Sequence, residues 1–176
     1  MKSMAKGVIL CAVQVALVAG IGAKLRYDRA TRPRVWVKVA PWDPSMAIRG
    51  CYLGLQIEVP AHGFNRPVQP ARPPYRGYIP YSFQYADLQL EGNRLVAVHE
   101  PEFTGTSVTI TLENDHLMAR VNDPIDYFIP ENAKNPAHVE KGEELWAEVT
   151  LPKKGPPRPI RLGIKKNGVL TPLRLK

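Results

Sequence analysis

The sequence predicts an all-β fold, an antiparallel barrel or sandwich, preceded by one transmembrane helix near the N-terminus. The stretch "GVILCAVQVALVAGIGA", Gly7 to Ala23, contains no charged residue, which predicts the helix. Beyond residue 34, short runs alternate apolar and polar residues with turn signals between them, and helical periodicity is nearly absent. Many short strands of this kind are typical of antiparallel barrels and sandwiches.

Residues 1–33 are predicted to be a signal-anchor helix followed by a basic juxtamembrane segment. As an α-helix, residues 7–23 span about 25 Å at about 1.5 Å per residue, slightly less than the roughly 30 Å hydrocarbon core of a bilayer. A cleavable signal peptide is the alternative. We favour the uncleaved anchor because Ile21 is large for a cleavage site and basic residues follow it closely.

The charges that flank this helix give conflicting indications of its orientation. Two basic residues precede the apolar stretch, and five follow it: Lys24, Arg26, Arg29, Arg32 and Arg34. The positive-inside rule, applied to these counts, keeps residues 35–176 in the cytoplasm. A short segment ahead of one hydrophobic stretch is nevertheless the usual arrangement of exported proteins. We predict an extracytoplasmic location for residues 35–176, against the indication of the basic flank.

Residues 34–176 are predicted to form the β-domain, which begins with two alternating strands. In the first, Arg34 to Pro41, every second residue is a valine. In the second, Cys51 to Val59, Leu55 lies on the apolar side. Both patterns have the two-residue period of a half-buried strand.

A Pro-rich insertion is predicted at residues 60–85. Its segment 60–81, which we call the arm, contains six prolines, two glycines and three arginines. Proline removes donors that a strand ladder needs, so the arm is expected to be a long loop or an extended segment. Arginine and tyrosine are enriched where proteins dock. The residues predicted to bind a partner are Phe64, Arg66, Arg72, Tyr75, Arg76, Tyr78 and Tyr81. A solvated insertion is the alternative.

The remaining elements are predicted from alternation and turn residues. Two hairpins are expected, Ala86–Leu90 with Arg94–His99, and Ser107–Leu112 with His116–Val121. A short strand at Tyr127–Ile129 and one or two helical turns near Ala137–Lys141 follow. Three more strands end the chain, and the last two turn at Asn167-Gly168.

Charge, histidine spacing and glycine content argue against several classes of function. The net charge of +8 is concentrated at the two ends: residues 1–34 hold seven Lys/Arg and one acid, and residues 152–176 hold eight Lys/Arg and no acid. No nucleic-acid recognition motif accompanies this charge, the four histidines lack metal-ligand spacing, and no Gly-rich phosphate loop is present. We expect no nucleic acid, no metal, no cofactor and no enzymatic reaction. A polyanion or lipid-surface binder using the basic C-terminal region stays an alternative.

The Ser45-Met46 step after a membrane anchor raises one enzymatic alternative, a membrane serine hydrolase that resembles the signal peptidases. In that family a serine is the nucleophile and a lysine is the base. The next glycine follows Ser-Met sooner here than in that family, and no lysine stands between Lys38 and Lys134. Lys134 lies in a polar stretch, where nothing obvious would desolvate it.

The same region has a better match. The order of a strand ending in proline, an Asp-Pro step, an Arg-Gly step and a second strand resembles the bacterial GDYXXLXY family of membrane-anchored proteins. The matching residues are Asp43, Pro44, Arg49, Gly50, Tyr52 and Leu55. Cys51 stands where the motif has Asp, and Ile57 stands where it has the final Tyr. The segment "DYFIPE", 126–131, resembles a second conserved segment of the family.

The resemblance implies a protein of the bacterial inner membrane with a periplasmic β-domain and no assigned reaction. It would contact the inner membrane through residues 7–23 and bind other envelope or membrane proteins. The motif loop also has a physical interpretation: Asp43 ahead of a proline fixes a turn, Gly50 takes a positive φ, and Arg49 pairs with Asp43. The loop is therefore expected to lock the crossing between two strands. A ligand-binding role for the loop is the alternative.

Overall fold

The computed structural model of the chain describes residues 2–42, 52–68, 70–71, 75, 78–102, 104–130, 136–152 and 155–175. The chain divides into two compact units, Met1–Pro33 and Arg34–Lys176. The first unit contains helix α1, Lys2–Thr31, and the second contains the strands.

Helix α1 has the length and composition of a membrane span. Within the described residues it provides the one helix, over Lys6–Thr31, that is long and apolar enough to cross a bilayer. Its apolar side chains, such as those of Val18 and Leu17, are exposed, as expected for a helix that is apolar on all faces. Pro33 follows the helix, and a proline disfavours helical geometry in the residue before it.

Ten strands are described in the second unit. They are β1 Arg34–Trp42, β2 Tyr52–His62, β3 Tyr81–Glu91, β4 Arg94–His99, β5 Thr106–Glu113, β6 His116–Val121, β7 Ile125–Phe128, β8 Glu143–Thr150, β9 Arg158–Lys166 and β10 Val169–Pro172. Neighbouring strands pair in the order β10-β9-β8-β1-β2-β4-β3-β5-β6, and β7 pairs with β2.

Strand β2 organises the sheet because it pairs with four strands, β1, β4, β6 and β7. The β2–β4 pair is parallel, with Ala61 opposite Ala97, whereas the other described pairs are antiparallel. From β2 the sheet continues through β4, β3 and β5 to β6. Strand β6 then pairs with β2, the strand from which this series starts. This mostly antiparallel arrangement confirms the predicted all-β class and is compatible with a sandwich.

The core follows the alternation of the first two strands. The valines of β1 at positions 35, 37 and 39 are buried, and so are Leu53, Leu55, Ile57 and Val59 of β2. Leu55 is fully buried, opposite Pro41 of β1 and Ile125 of β7. The predicted inward faces of both strands are therefore confirmed.

One row of directly opposed residues crosses six strands. It runs through Phe83, Thr109, Arg120, Glu58, Lys38 and Trp146. Directly opposed residues in a sheet project to the same face. The Lys38 ammonium lies 3.6 Å from a Glu58 carboxylate oxygen, and Arg120 donates to Glu58 from the other side. The exposed ring of Phe83 therefore lies at one end of this row, and ion pairs of Glu58 with Lys38 and Arg120 lie at its centre.

Two of the turns have the backbone that their residues predict. Asn114 and Asp115 between β5 and β6 have φ of 49° and 66°. Asn167 and Gly168 between β9 and β10 have φ of 51° and 82°. Positive φ at both central residues is the geometry of a type I′ hairpin turn, which Asn, Asp and Gly adopt most easily. The predicted positions of both turns are confirmed.

Three predicted boundaries are corrected. Strand β2 continues to His62 and β3 begins at Tyr81, so both strands enter the insertion predicted at 60–85. The strand predicted at Tyr127–Ile129 is Ile125–Phe128. The helical turns predicted near Ala137–Lys141 are absent from residues 136–142, where the chain forms turns. So short a segment cannot repay the cost of starting a helix.

Candidate functional site

The structure describes two of the six motif residues. Outside the described residues lie Asp43, Pro44, Arg49 and Gly50, and also Ser45 of the hydrolase alternative. Leu55 belongs to the core, so its place in the motif is explained by packing. Tyr52 is half exposed at the start of β2, and its ring meets that of Phe128 edge-on with 5.5 Å between the centroids.

The start of β2 lies close against the end of β1. A Cβ atom added to Gly54 would lie 2.8 Å from the carbonyl oxygen of Trp42, which is too close for any side chain. Glycine therefore permits the approach of the two strands beside the motif loop. Trp42 is itself exposed, as are Tyr52 and Phe128.

Four aromatic rings form a continuous strip that leads from the arm onto β3. We call Tyr75, Tyr78, Tyr81 and Phe83 the aromatic strip. Its successive ring centroids are 5.6, 6.3 and 5.3 Å apart. Such separations are typical of contacting aromatic side chains. The exposed fractions are 64% for Tyr75, 50% for Tyr81 and 69% for Phe83, whereas Tyr78 is half-buried between its neighbours. Three of the four rings therefore remain open to solvent.

Local backbone geometry explains how the strip is assembled. The Tyr78 amide donates a hydrogen bond to the Tyr75 carbonyl at 3.3 Å, which holds these two residues close together. Tyr81 and Phe83 are two residues apart in a strand and therefore project to the same face. They lie opposite Thr111 and Thr109 of β5.

Arg66 fixes the first part of the arm to the neighbouring hairpin. Its guanidinium donates to the Asp115 carboxylate at 2.9 Å, in the turn between β5 and β6. Both side chains are well exposed, so this pair contributes about 0–1 kcal/mol. Arg72 and Arg76, the other two arginines predicted to bind a partner, lie outside the described residues.

Phe64 does not belong with the exposed residues of the arm. It is only 7% exposed, belongs to the hydrophobic core, and packs edge-on against the His99 ring at 5.3 Å. Its prediction as a partner-binding residue is corrected for that reason. A ring already buried in the core holds the base of the arm on the β-domain and presents little surface to another molecule.

Sequence reasoning missed Phe83, the most exposed ring of the strip. The segment "YSFQY" places aromatic residues at 81, 83 and 85, a period of two. The predicted hairpin begins only at Ala86, so this alternation falls within the predicted insertion. Extending the strand five residues earlier would have predicted that Phe83 shares a face with Tyr81.

Three basic residues of β9 are engaged within the sheet. Arg161 donates to Glu148 at 2.7 Å and lies 5.3 Å from the Trp36 ring centroid. Lys165 lies 4.4 Å from the Trp146 ring centroid. These cations and Lys166 have partners within the domain, which argues against a polyanion surface made of this strand.

Lys166 pairs with two acidic residues at the start of β8 and just before it. Its ammonium donates to Glu143 at 2.9 Å and lies 3.6 Å from Glu140. The hydrogen bond from Lys166 lowers the pKa of Glu143 below its ordinary value. The same hydrogen bond stabilises the charged ammonium group and raises the pKa of Lys166. This pair joins the start of β8 to the end of β9.

The described residues bring together no metal-binding set. Among them, no group of three or more His, Cys, Asp or Glu side chains is placed to hold a metal ion. Lys38 is the lysine closest in sequence to Ser45, and it is paired with Glu58 and Glu144 at 3.6 Å each.

A cleft of about 830 Å³ opens beside β3 and the start of β5. Its walls include Tyr85, Asp87 and Asp123 together with the proline-rich connection from β8 to β9. Ring and carboxylate groups of this kind suit a polar ligand, but they do not single out one ligand class.

Comparisons with known proteins provide no independent identification: no protein-family model, no curated protein and no solved structure matches the chain. The resemblance to the GDYXXLXY family therefore stays a prediction that rests on the residues quoted for it.

Proposed function

We propose that the chain is a membrane-anchored protein of the bacterial envelope whose β-domain binds a partner protein through the aromatic strip. In this proposal α1 anchors the chain in the inner membrane through residues 7–23, and the β-domain lies on the periplasmic side. The domain acts as a binding module and catalyses no reaction. The observation that carries the proposal is a strip of four contacting rings on a folded domain, of which Tyr75, Tyr81 and Phe83 are exposed.

Aromatic rings are well suited to docking. Burying one large apolar side chain stabilises a complex by about 2 kcal/mol, and exposed apolar patches on folded domains commonly mark binding surfaces. Tyr and Phe side chains have only two rotatable bonds, so little conformational entropy is lost when they are fixed. The ring contacts within the strip already restrict them further.

The charge of the arm favours an acidic partner surface. Residues 60–81 contain three arginines and no aspartate or glutamate. Two of these arginines, Arg72 and Arg76, flank Tyr75 in the sequence. Arginine beside tyrosine is a frequent combination in the energetic centre of interfaces, and carboxylates are the natural partners of guanidinium groups. We infer that the partner presents carboxylates next to an apolar groove.

The periplasmic location is tested separately with fusions of alkaline phosphatase and of a cytoplasmic reporter to the C-terminus of the chain. We expect the phosphatase fusion to be active. Activity of the cytoplasmic reporter alone would show that the basic flank sets the orientation, and would remove the periplasm from the proposal.

Partner binding is tested by site-specific photo-crosslinking in native membranes. A benzophenone amino acid replaces Phe83 in one variant and Gln89 in the control, since both side chains are exposed on the same face of β3. We expect a covalent adduct with one protein from position 83 and none from position 89. Equal adducts at both positions, or adducts with lipid only, would contradict the proposal.

A further inference from the structure

The residues that follow the apolar part of α1 form a second interaction surface. The helix continues without interruption through Thr31, eight residues beyond Ala23. At about 1.5 Å per residue those residues extend roughly 12 Å, whereas the headgroup region on one side of a bilayer is about 5–8 Å thick. The first residues after Ala23 therefore coincide with the headgroup layer when residues 7–23 occupy the hydrocarbon.

The charges in this part of the helix are strongly unbalanced. Asp28 is the one acid among residues 1–34, and its carboxylate is bound to the Arg32 guanidinium at 3.2 Å, one turn later. Lys24 and Arg26 are exposed, and neither has a charged partner among the described residues. Lys24 and Arg26 are therefore available to bind an anion, whereas the neighbouring acid, Asp28, is already paired with Arg32.

The side chain between Arg26 and Asp28 has the chemistry of the same layer. Tyr27 is 68% exposed, and tyrosine concentrates at membrane interfaces, where its ring meets acyl chains and its hydroxyl meets water. Its carbonyl accepts a hydrogen bond from the Thr31 hydroxyl at 2.8 Å.

The length of the apolar stretch places Lys24 at the right depth. Residues 7–23 span about 5 Å less than a hydrocarbon core of roughly 30 Å. A span that is too short draws its flanking residues inward, and long basic side chains then extend their charged ends back to the headgroups. When α1 spans the bilayer as proposed above, the Lys24 ammonium reaches the level of the lipid phosphates.

We propose that Lys24, Arg26 and Tyr27 bind anionic phospholipids around the end of the membrane helix, with Lys24 and Arg26 contacting different lipids because residues two apart project to opposite sides of an α-helix. The cations bind lipid phosphate and any further negative headgroup charge, and the Tyr27 ring packs beside the acyl chains. Since a single lipid contacts one of the two cations, the expected preference for an anionic over a zwitterionic lipid is roughly fivefold. This surface lies on the helix and is independent of the aromatic strip.

The test uses the full chain in nanodiscs that contain equal amounts of phosphatidylglycerol and phosphatidylcholine. Spin-labelled versions of each lipid report, by electron paramagnetic resonance, their relative affinity for the boundary of the protein. We expect a preference for phosphatidylglycerol of roughly fivefold that weakens at high salt. The variant Lys24→Gln/Arg26→Gln should bring the preference down towards one.

The matched control is Arg94→Gln/Arg174→Gln, which removes the same charge from exposed positions in the β-domain. We expect this control to keep the preference of the original chain. The proposal is overturned if the original chain shows no preference, if Lys24→Gln/Arg26→Gln keeps it, or if both double variants lose it equally. Tyr27→Ser should lower the affinity for both lipids without changing their ratio.

Discussion

Glu58 and Arg120 face each other across the β2–β6 pair, and the Arg120 guanidinium donates two hydrogen bonds to a single carboxylate oxygen of Glu58. Strand β6, which carries Arg120, is the last in the series β2-β4-β3-β5-β6, and it pairs directly with β2 as well. The Glu58 side chain is only 13% exposed, and Lys38 approaches it from β1. One carboxylate therefore joins three strands on the outer face.

We predict that Glu58→Gln lowers the free energy of unfolding by about 1 kcal/mol, because a neutral amide leaves two cations without their shared partner. The Arg120 side chain is half exposed, so solvent screening weakens its attraction to Glu58 and limits the expected loss of stability. Denaturant unfolding of the full chain in zwitterionic micelles measures it. Glu113→Gln, at the exposed end of β5, is the control and should change the unfolding free energy much less.

Phe64 and Tyr75 belong to the same arm but should respond oppositely to truncation. Phe64→Ala removes a core ring and should cost about 3 kcal/mol of unfolding free energy, whereas Tyr75→Ala should leave stability nearly unchanged and weaken partner binding. Thermal unfolding of both variants provides the comparison. Equal stability of the two variants would show that Phe64 is not an anchor of the core.

Gly105 is required by the close contact between the start of β5 and β3. A Cβ atom at this position would lie within 2.8 Å of two Ala86 backbone atoms, its carbonyl carbon and oxygen, so neighbouring strands would have to move. We predict that Gly105→Ala costs about 1–3 kcal/mol, measured by denaturant unfolding. Gly92→Asn is the control: φ is 62° there, nothing lies within 4 Å, and asparagine tolerates this backbone. A harmless Gly105→Ala would contradict the packing described for β3.

The Glu143–Lys166 pair predicts a pH-dependent contribution to stability. Because the pKa of Glu143 is lowered in the folded chain, its contribution is present above the ordinary carboxylate range and is lost as the pH falls through the folded pKa. Because the pKa of Lys166 is raised, its contribution is present below its ordinary range and is lost at strongly alkaline pH. Glu143→Gln should therefore lower Tm slightly at pH 7 and have no effect at pH 2. A Tm difference independent of pH would exclude this pair as its cause.

Local patterns were sufficient for most strands and turns. The valines of β1 alternate because one face of the strand is buried, and Asn167-Gly168 adopts positive φ because those residues do so at little cost. Both features depend on neighbours in the sequence, so sequence reasoning finds them.

Contacts between distant segments were not predictable in the same way. The parallel pairing of Ala61 with Ala97 and the return of β6 to β2 depend on the packing of the whole domain. The burial of Phe64 is of this kind, since its proline-rich surroundings have no period that reveals an inward face. The aromatic strip is predicted in part, because its last ring lies on a strand that begins at Tyr81, five residues before the predicted start at Ala86.

The most direct test of the proposed function compares two variants of the full chain by chemical crosslinking in native membranes followed by affinity purification. One variant replaces Tyr75, Tyr78, Tyr81 and Phe83 with serine, and the other carries Arg158→Gln and Arg174→Gln in the basic C-terminal region. Phe64 is kept in both, so that the core stays intact. We predict that the strip variant loses at least about tenfold of the crosslinked partner, since aromatic anchors carry most of the energy of an interface, while the other variant keeps nearly all of it. A strip variant that unfolds at the original temperature and still captures the partner in full would contradict the account.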